Sequence, residues 1–199
     1  MNMTRTSFFK FYGNGIAKTL FLVAFMLCMQ TINAQEDLDA KYATELPKAG
    51  TVAPDFTLSS LDGNTISLSD FKGKYVVLDF WASWCPDCIR DIPEIQSLYN
   101  DFSDKGVVFL GVSFDTDKTR WQTAVEKYDI KYPQCSELKK MREAEVAKLY
   151  GVKWIPSLVV VAPDGKVALS TVISQKVRAL LSEQIYLQIV LMTMTTLVN

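Results

Sequence analysis

The chain has 199 residues, 49% hydrophobic and 22% charged, with a formal net charge of −1 and no histidine. That length allows one domain with extras, and that composition supplies an ordinary core. No basic block is present, which argues against a nucleic-acid partner.

Residues 1–34 read as a secretory signal peptide. Arg5, Lys10 and Lys18 form a basic leader without an acid, Leu20 to Met29 is a short apolar core, and cleavage is expected after Ala34. The alternative is an uncleaved anchor, but the run is shorter than the roughly 20 apolar residues a bilayer needs. A lipoprotein site at Cys28 is rejected because Leu27 stands where a small residue is expected. Cleavage would leave 18 basic and 22 acidic residues, a charge of −4. The product is expected in the periplasm or envelope, where an oxidising milieu makes disulfides the default state.

Residues 35–50 are polar and read as a linker, and residues 51–187 as the domain. Asp62-Gly63-Asn64 is a turn signal between Phe56–Ser59 and Thr65–Leu68, which predicts a β-hairpin. Tyr75 to Phe80 is an apolar, β-branched and aromatic run, and predicts a buried strand. Asp79 is the one acid inside it. A buried carboxylate without a partner is costly, so it carries either a raised pKa or a role, unless the strand is an edge and Asp79 faces outward.

Trp81-Ala-Ser-Trp84-Cys85-Pro86-Asp87-Cys88 follows that strand, and Ile92, Ile95, Leu98 and Tyr99 then fall at helical spacing. The two cysteines therefore sit where a strand gives way to a helix. The first helical turn offers unpaired N–H groups and partial positive charge, both of which favour a thiolate. Cys88 lies three residues after Cys85, on the same helix face. One sulfur can attack a foreign disulfide and the other can resolve the mixed disulfide. Pro86 suits an early helical position, and Pro93 predicts a kink one turn on. Haem attachment requires a histidine after the second cysteine, where Ile89 stands, and structural zinc requires four ligands that the chain does not supply. No metal and no cofactor beyond the Cys85–Cys88 pair are expected.

Val107–Phe114 predicts a strand, Lys118–Tyr128 a helix, Tyr132–Cys135 a short extended piece and Ala144–Tyr150 a helix capped by Gly151. Cys135 reads either as buried and inert or as able to pair with another protein. Leu158–Ala162 and Val167–Thr171 flank the turn Pro163-Asp-Gly-Lys as a second hairpin. Gln175–Leu187 predicts a helix over the sheet. Residues 188–199 form an apolar tail without an assigned role.

The order of strand, Asp79-Phe-Trp-Ala, Trp-Cys-x-x-Cys and helix resembles the thioredoxin superfamily. The Ala53-Pro-Asp-Phe segment, the hairpin and the helix–strand insertion narrow the resemblance to the TlpA/ResA-like envelope thiol–disulfide oxidoreductases, of AhpC/TSA redoxin type. The resemblance implies an α/β thioredoxin-like fold with a central mixed sheet flanked by helices. It makes Cys85 the attacking thiolate, Cys88 the resolving cysteine and Asp79 an aid to proton transfer at Cys88. Pro156 would be cis and face the pair, with the Ile155 backbone holding an extended client segment and Trp84 and Pro86 bordering the contact. Asp91 and Asp87 are candidates for tuning the thiols; Asp91 stands where ResA-like members carry glutamate, so its reach is shorter, and its other reading is a solvated first-turn acid that complements the helix dipole. The implied function is reduction of disulfides in client proteins, apocytochromes c among them, with electrons from a membrane donor. Two other readings remain: a peroxiredoxin-type peroxidase, since peroxiredoxins share the Ala53-Pro-Asp-Phe entry and Ser83 stands two residues before Cys85, although Phe80-Trp81 occupies the place of their upstream proline, and a non-catalytic binding module.

Overall fold

Val76–Trp81 is buried at every position, and it becomes the strand around which the sheet is laid. The computed structural model describes residues 38–198; the expected leader and its cleavage site lie outside them. In chain order the described elements are α1 (Leu38–Tyr42), β1 (Thr57–Ser60), β2 (Thr65–Ser67), a short 3-10 helix (Leu68–Phe71), β3 (Val76–Trp81), α2 (Pro86–Phe102), β4 (Val108–Ser113), α3 (Lys118–Lys127), β5 (Gln134–Ser136), α4 (Glu145–Leu149), β6 (Ser157–Val161), β7 (Val167–Thr171) and α5 (Ser174–Val198).

One seven-stranded mixed sheet runs β2-β1-β5-β4-β3-β6-β7. β3, β4 and β5 are parallel, whereas the β1–β2 and β6–β7 hairpins join antiparallel. The expected N-terminal hairpin and the inserted helix–strand unit, α3 with β5, are both present. β5 lies between β1 and β4, so the insertion widens the sheet from within rather than adding an edge.

Alternation along β3 sends Val77, Asp79 and Trp81 to one face and Val76, Leu78 and Phe80 to the other. On the second face Phe80 packs against Phe114 and Tyr150. On the first, Tyr99 of α2 and Tyr132 pack against each other. α2 runs unbroken over Pro86–Phe102 with Pro93 inside it, and buries Cys88, Ile92, Ile95, Leu98 and Phe102. Arg178 of α5 ties to α2 through Glu94, Asp101 and Ser97.

Two boundaries differ from the sequence reading. Residues 38–50 are packed on the domain rather than forming a tether. Asp39 accepts from Thr171 Oγ1, Val172 N and Lys176 Nζ, Leu46 is buried, and Gly50 N donates to Val167 O. Gly151, at φ 59°, passes so close to this segment that an added Cβ would lie 2.0 Å from Glu45 O. A polar segment docked by its carboxylate and backbone carries little hydrophobic signature. The C-terminal helix does not end near Leu187. It continues to Val198, and no Gly or Pro interrupts the stretch. Ile185 is buried, while Tyr186, Leu187, Ile189, Leu191 and Met194 are exposed. No described helix is long and apolar enough to cross a membrane.

Candidate active site

The strand-to-helix junction places both cysteines at the start of α2. Cys85 is the N-cap, with extended backbone, and Pro86 opens the first turn. The Cys88 backbone N–H donates to Cys85 Sγ at 3.1 Å, satisfying one of the helix's free donors with sulfur. Cys85 and Cys88 are joined as a disulfide with Cα atoms 5.3 Å apart. A thiolate at Cys85 would inherit that N–H and the helix dipole, whereas Cys88 sits inside the first turn; both residues are buried.

Across from the pair, the Ile155–Pro156 peptide is cis. Cys85 Sγ lies 3.6 Å from Ile155 O, so the disulfide and the proline loop are in contact. Trp84 projects from the site at 58% exposure, and Pro86 is also exposed. Beside the disulfide lies a cleft of about 500 Å³ bordered by Asp87, Asp91 and Pro156, with Tyr42 and Trp154 also lining it. Those two rings stack at 4.3 Å between centroids, so the segment read as a tether builds one wall of the site.

Asp79 is buried, and burial pushes its carboxyl up to about 7. Tyr132 opposes this by donating to Asp79 Oδ2 at 2.8 Å, and the charge of Asp91 adds to the rise. Asp91 is half-buried; burial raises its own pKa, while a hydrogen bond from Ser174 Oγ (3.1 Å) works against that. It reaches the cleft despite being an aspartate. Asp87 pairs with Arg90 at 2.8 Å, with both side chains well exposed, which mutes its effect between the cysteines.

Three contributors carry no motif. Tyr132 and Gln134 lie in a segment legible only as extended. Gln134 Oε1 accepts from Trp81 Nε1 at 2.9 Å, and its carboxamide lies over Gly111, where a Cβ would come within 2.3 Å of it. Asp115, 2% exposed, follows the C-terminal end of β4, the edge of an α/β sheet where ligands and catalytic groups gather. That position was the available signal. Cys135 stands in interior strand β5, fully buried, and burial pushes its thiol up to about 12. Of the two readings for Cys135, the inert one fits this placement. No cluster of three or more His, Cys, Asp or Glu able to hold a metal is found among the described residues.

The AhpC/TSA family model matches residues 49–170. A thiol-disulfide oxidoreductase ResA of Bacillus thuringiensis subsp. konkukian is 35% identical over 123 residues, 62% of this chain and 69% of the relative. The crystal structure of the thioredoxin domain of a Bacteroides vulgatus thiol-disulfide oxidoreductase is 37% identical, with a TM-score of 0.58, over 62% of this chain and 88% of that one. The solution structure of a thiol:disulfide interchange protein from a Bacteroides species is 32% identical, with a TM-score of 0.64, over 72% of this chain and 93% of that one.

Proposed function

The chain belongs to the AhpC/TSA family, and from that premise we propose that it reduces disulfides of exported client proteins by cycling Cys85–Cys88 between dithiol and disulfide. It is a thiol–disulfide oxidoreductase of thioredoxin-like type. The observation that carries the proposal is Cys85 Sγ at the N-terminus of α2, in contact with Ile155 O beside a cis proline.

Cys85 thiolate attacks one sulfur of the client disulfide; a Cys85–client S–S bond forms and the second client sulfur leaves as thiolate. Cys88 then loses its proton and attacks Cys85 Sγ. The Cys85–Cys88 bond forms, the first client sulfur departs, and two electrons have passed to the client. Asp79 takes the Cys88 proton; a pKa near 7 suits a group that must accept and return it at neutral pH. The Ile155 backbone lines up an extended client segment, Pro156 and Pro86 flank it, and Trp84 forms an apolar lip. Asp91, from the neighbouring cleft, tunes the pair.

Export rests on the leader over residues 1–34, with cleavage after Ala34. A membrane thiol–disulfide donor recharges the oxidised pair, and apocytochromes c before haem attachment are among the clients. The peroxidase reading fares worse: Ser83 Oγ donates to Asp115 Oδ1 at 2.6 Å rather than serving Cys85.

The test is the reduction potential of the domain against glutathione, followed by fluorescence of Trp81 and Trp84. A value near or below about −270 mV supports a reductase, and a value near about −120 mV makes the protein an oxidant instead.

A further inference from the structure

We propose that Asp115 is a positioning residue that clamps the turn before Cys85 and so keeps its sulfur on the helix terminus when the disulfide opens. The inference rests on Cys85 being the attacking thiol.

The Asp115 carboxylate accepts three hydrogen bonds: from Ser83 N (2.9 Å), Ser83 Oγ (2.6 Å) and Ser113 Oγ (2.7 Å). Its own N–H donates back to Ser113 Oγ at 3.0 Å. Ser113 ends β4, and Asp115 is held further by the hydrogen bond from Phe114 N to Trp81 O. The carboxylate is therefore rigid, and it reaches across from β4 to the loop that leaves β3. Both donors of Ser83 go to this one group. The next link is the turn in which Cys85 N donates to Ala82 O at 3.1 Å, and Cys85 is the N-cap of α2.

In the disulfide the S–S bond itself ties Cys85 to Cys88. Reduction removes that tie. What then fixes Cys85 relative to the Cys88 N–H is the Ala82–Cys85 turn, and what fixes the turn is Ser83 on Asp115. The clamp thus matters more to the dithiol than to the disulfide.

A buried anion near a thiol has a second, opposite effect: it disfavours the thiolate. The two effects give Asp115→Asn opposite signs, which makes the inference testable. Ser83→Ala removes one donor and keeps the charge, and Ser83→Thr keeps the hydroxyl. None of these variants replaces the other charged groups about the pair: Asp87 with Arg90 and Asp91 on α2, Asp79 on β3, and Lys140, Arg142 and Glu143, which share a cavity with Trp84.

The experiment titrates the Cys85 thiolate by its ultraviolet absorbance in the reduced protein, with the rate of attack on a small aromatic disulfide measured in parallel. Asp115→Asn and Ser83→Ala should both raise the Cys85 pKa, by on the order of one unit, with Ser83→Thr returning it towards the parent. Roughly tenfold less thiolate, partly offset by its greater nucleophilicity, leaves attack about threefold slower. A lowered pKa in Asp115→Asn would overturn the clamp in favour of a plain charge effect. An unchanged pKa with a lower melting temperature would reduce Asp115 to a structural role. If Asp115→Asn does not fold, the Ser83 pair of variants decides. Absence of any reactive thiolate in the parent protein would instead defeat the functional reading itself.

Discussion

The phenol of Tyr132 donates to Oδ2 of Asp79 across 2.8 Å, with both residues almost wholly buried. The contact joins β3 to the segment entering β5, two strands away, and it crosses β4 beside Gly111, which carries no side chain. A carboxyl group that burial would leave neutral at physiological pH is thereby brought back towards ionisation.

Replacing Tyr132 with Phe should raise the Asp79 pKa above about 7, because the opposing hydrogen bond is lost. In a stopped-flow measurement, the pH midpoint of the Cys88-dependent resolution step should move alkaline by on the order of one unit. A Tyr132 that merely fills space would lower stability and leave that midpoint where it was.

Asp79→Asn has a predictable stability signature in the disulfide form. The folded pKa lies above the unfolded value of 3.8, so the folded state holds the proton that the unfolded chain releases. Parent stability therefore falls as pH rises from about 4 to about 7, by roughly 4 kcal/mol in all. Asparagine does not ionise, so its advantage in urea unfolding should grow through that window and be largest near pH 8. An advantage that is flat with pH would contradict the assignment. Resolution by Cys88 should slow in the same variant.

Asp39 behaves in the opposite sense. Its burial would raise the pKa, but bonds from Lys176, Val172 and Thr171 outweigh that and lower it. The stability it supplies is full above its unfolded pKa and is lost as pH falls through the lowered folded value. Asp39→Ala should cost roughly 1–3 kcal/mol at neutral pH by thermal or urea unfolding. Loss of α1 from the sheet should also unstack Tyr42 from Trp154, visible in Trp fluorescence. An unchanged melting curve would return residues 38–50 to the status of a tether.

Cys135 should resist alkylation by iodoacetamide in the folded, oxidised protein and react fully in denaturant, because only the thiolate attacks and burial holds the thiol protonated. Mass spectrometry after brief exposure at pH 8 reads this directly, and rapid native labelling would refute it.

The fold was legible where the signal was local. The run before Trp81, the Asp62-Gly63-Asn64 turn and the helical spacing after Cys88 each report on their own neighbourhood, and the strand, hairpin and helix they announce are all present. Cys85, Cys88 and Asp79 stood out because a reactive pair and a lone acid interrupt apolar patterns. Tyr132, Gln134 and Asp115 did not, since their roles depend on partners 32 to 53 positions away. Residues 38–50 misled because burial there falls on one leucine and a few hydrogen bonds. The C-terminal helix ran on because nothing in its sequence stops it.

Cys85 is 5% exposed and Cys88 3%, while Trp84 beside them is open to solvent. A disulfide inside a rigid, folded partner could not bring its sulfur down to one so recessed without tearing its own packing. A slack polypeptide could lie along the proline loop and let its sulfur sink in. If Cys85 attacks clients as proposed, the recess would act as a sieve for compliance. On the function proposed above, it would set finished proteins apart from chains still awaiting their final form, before any side chain has been recognised.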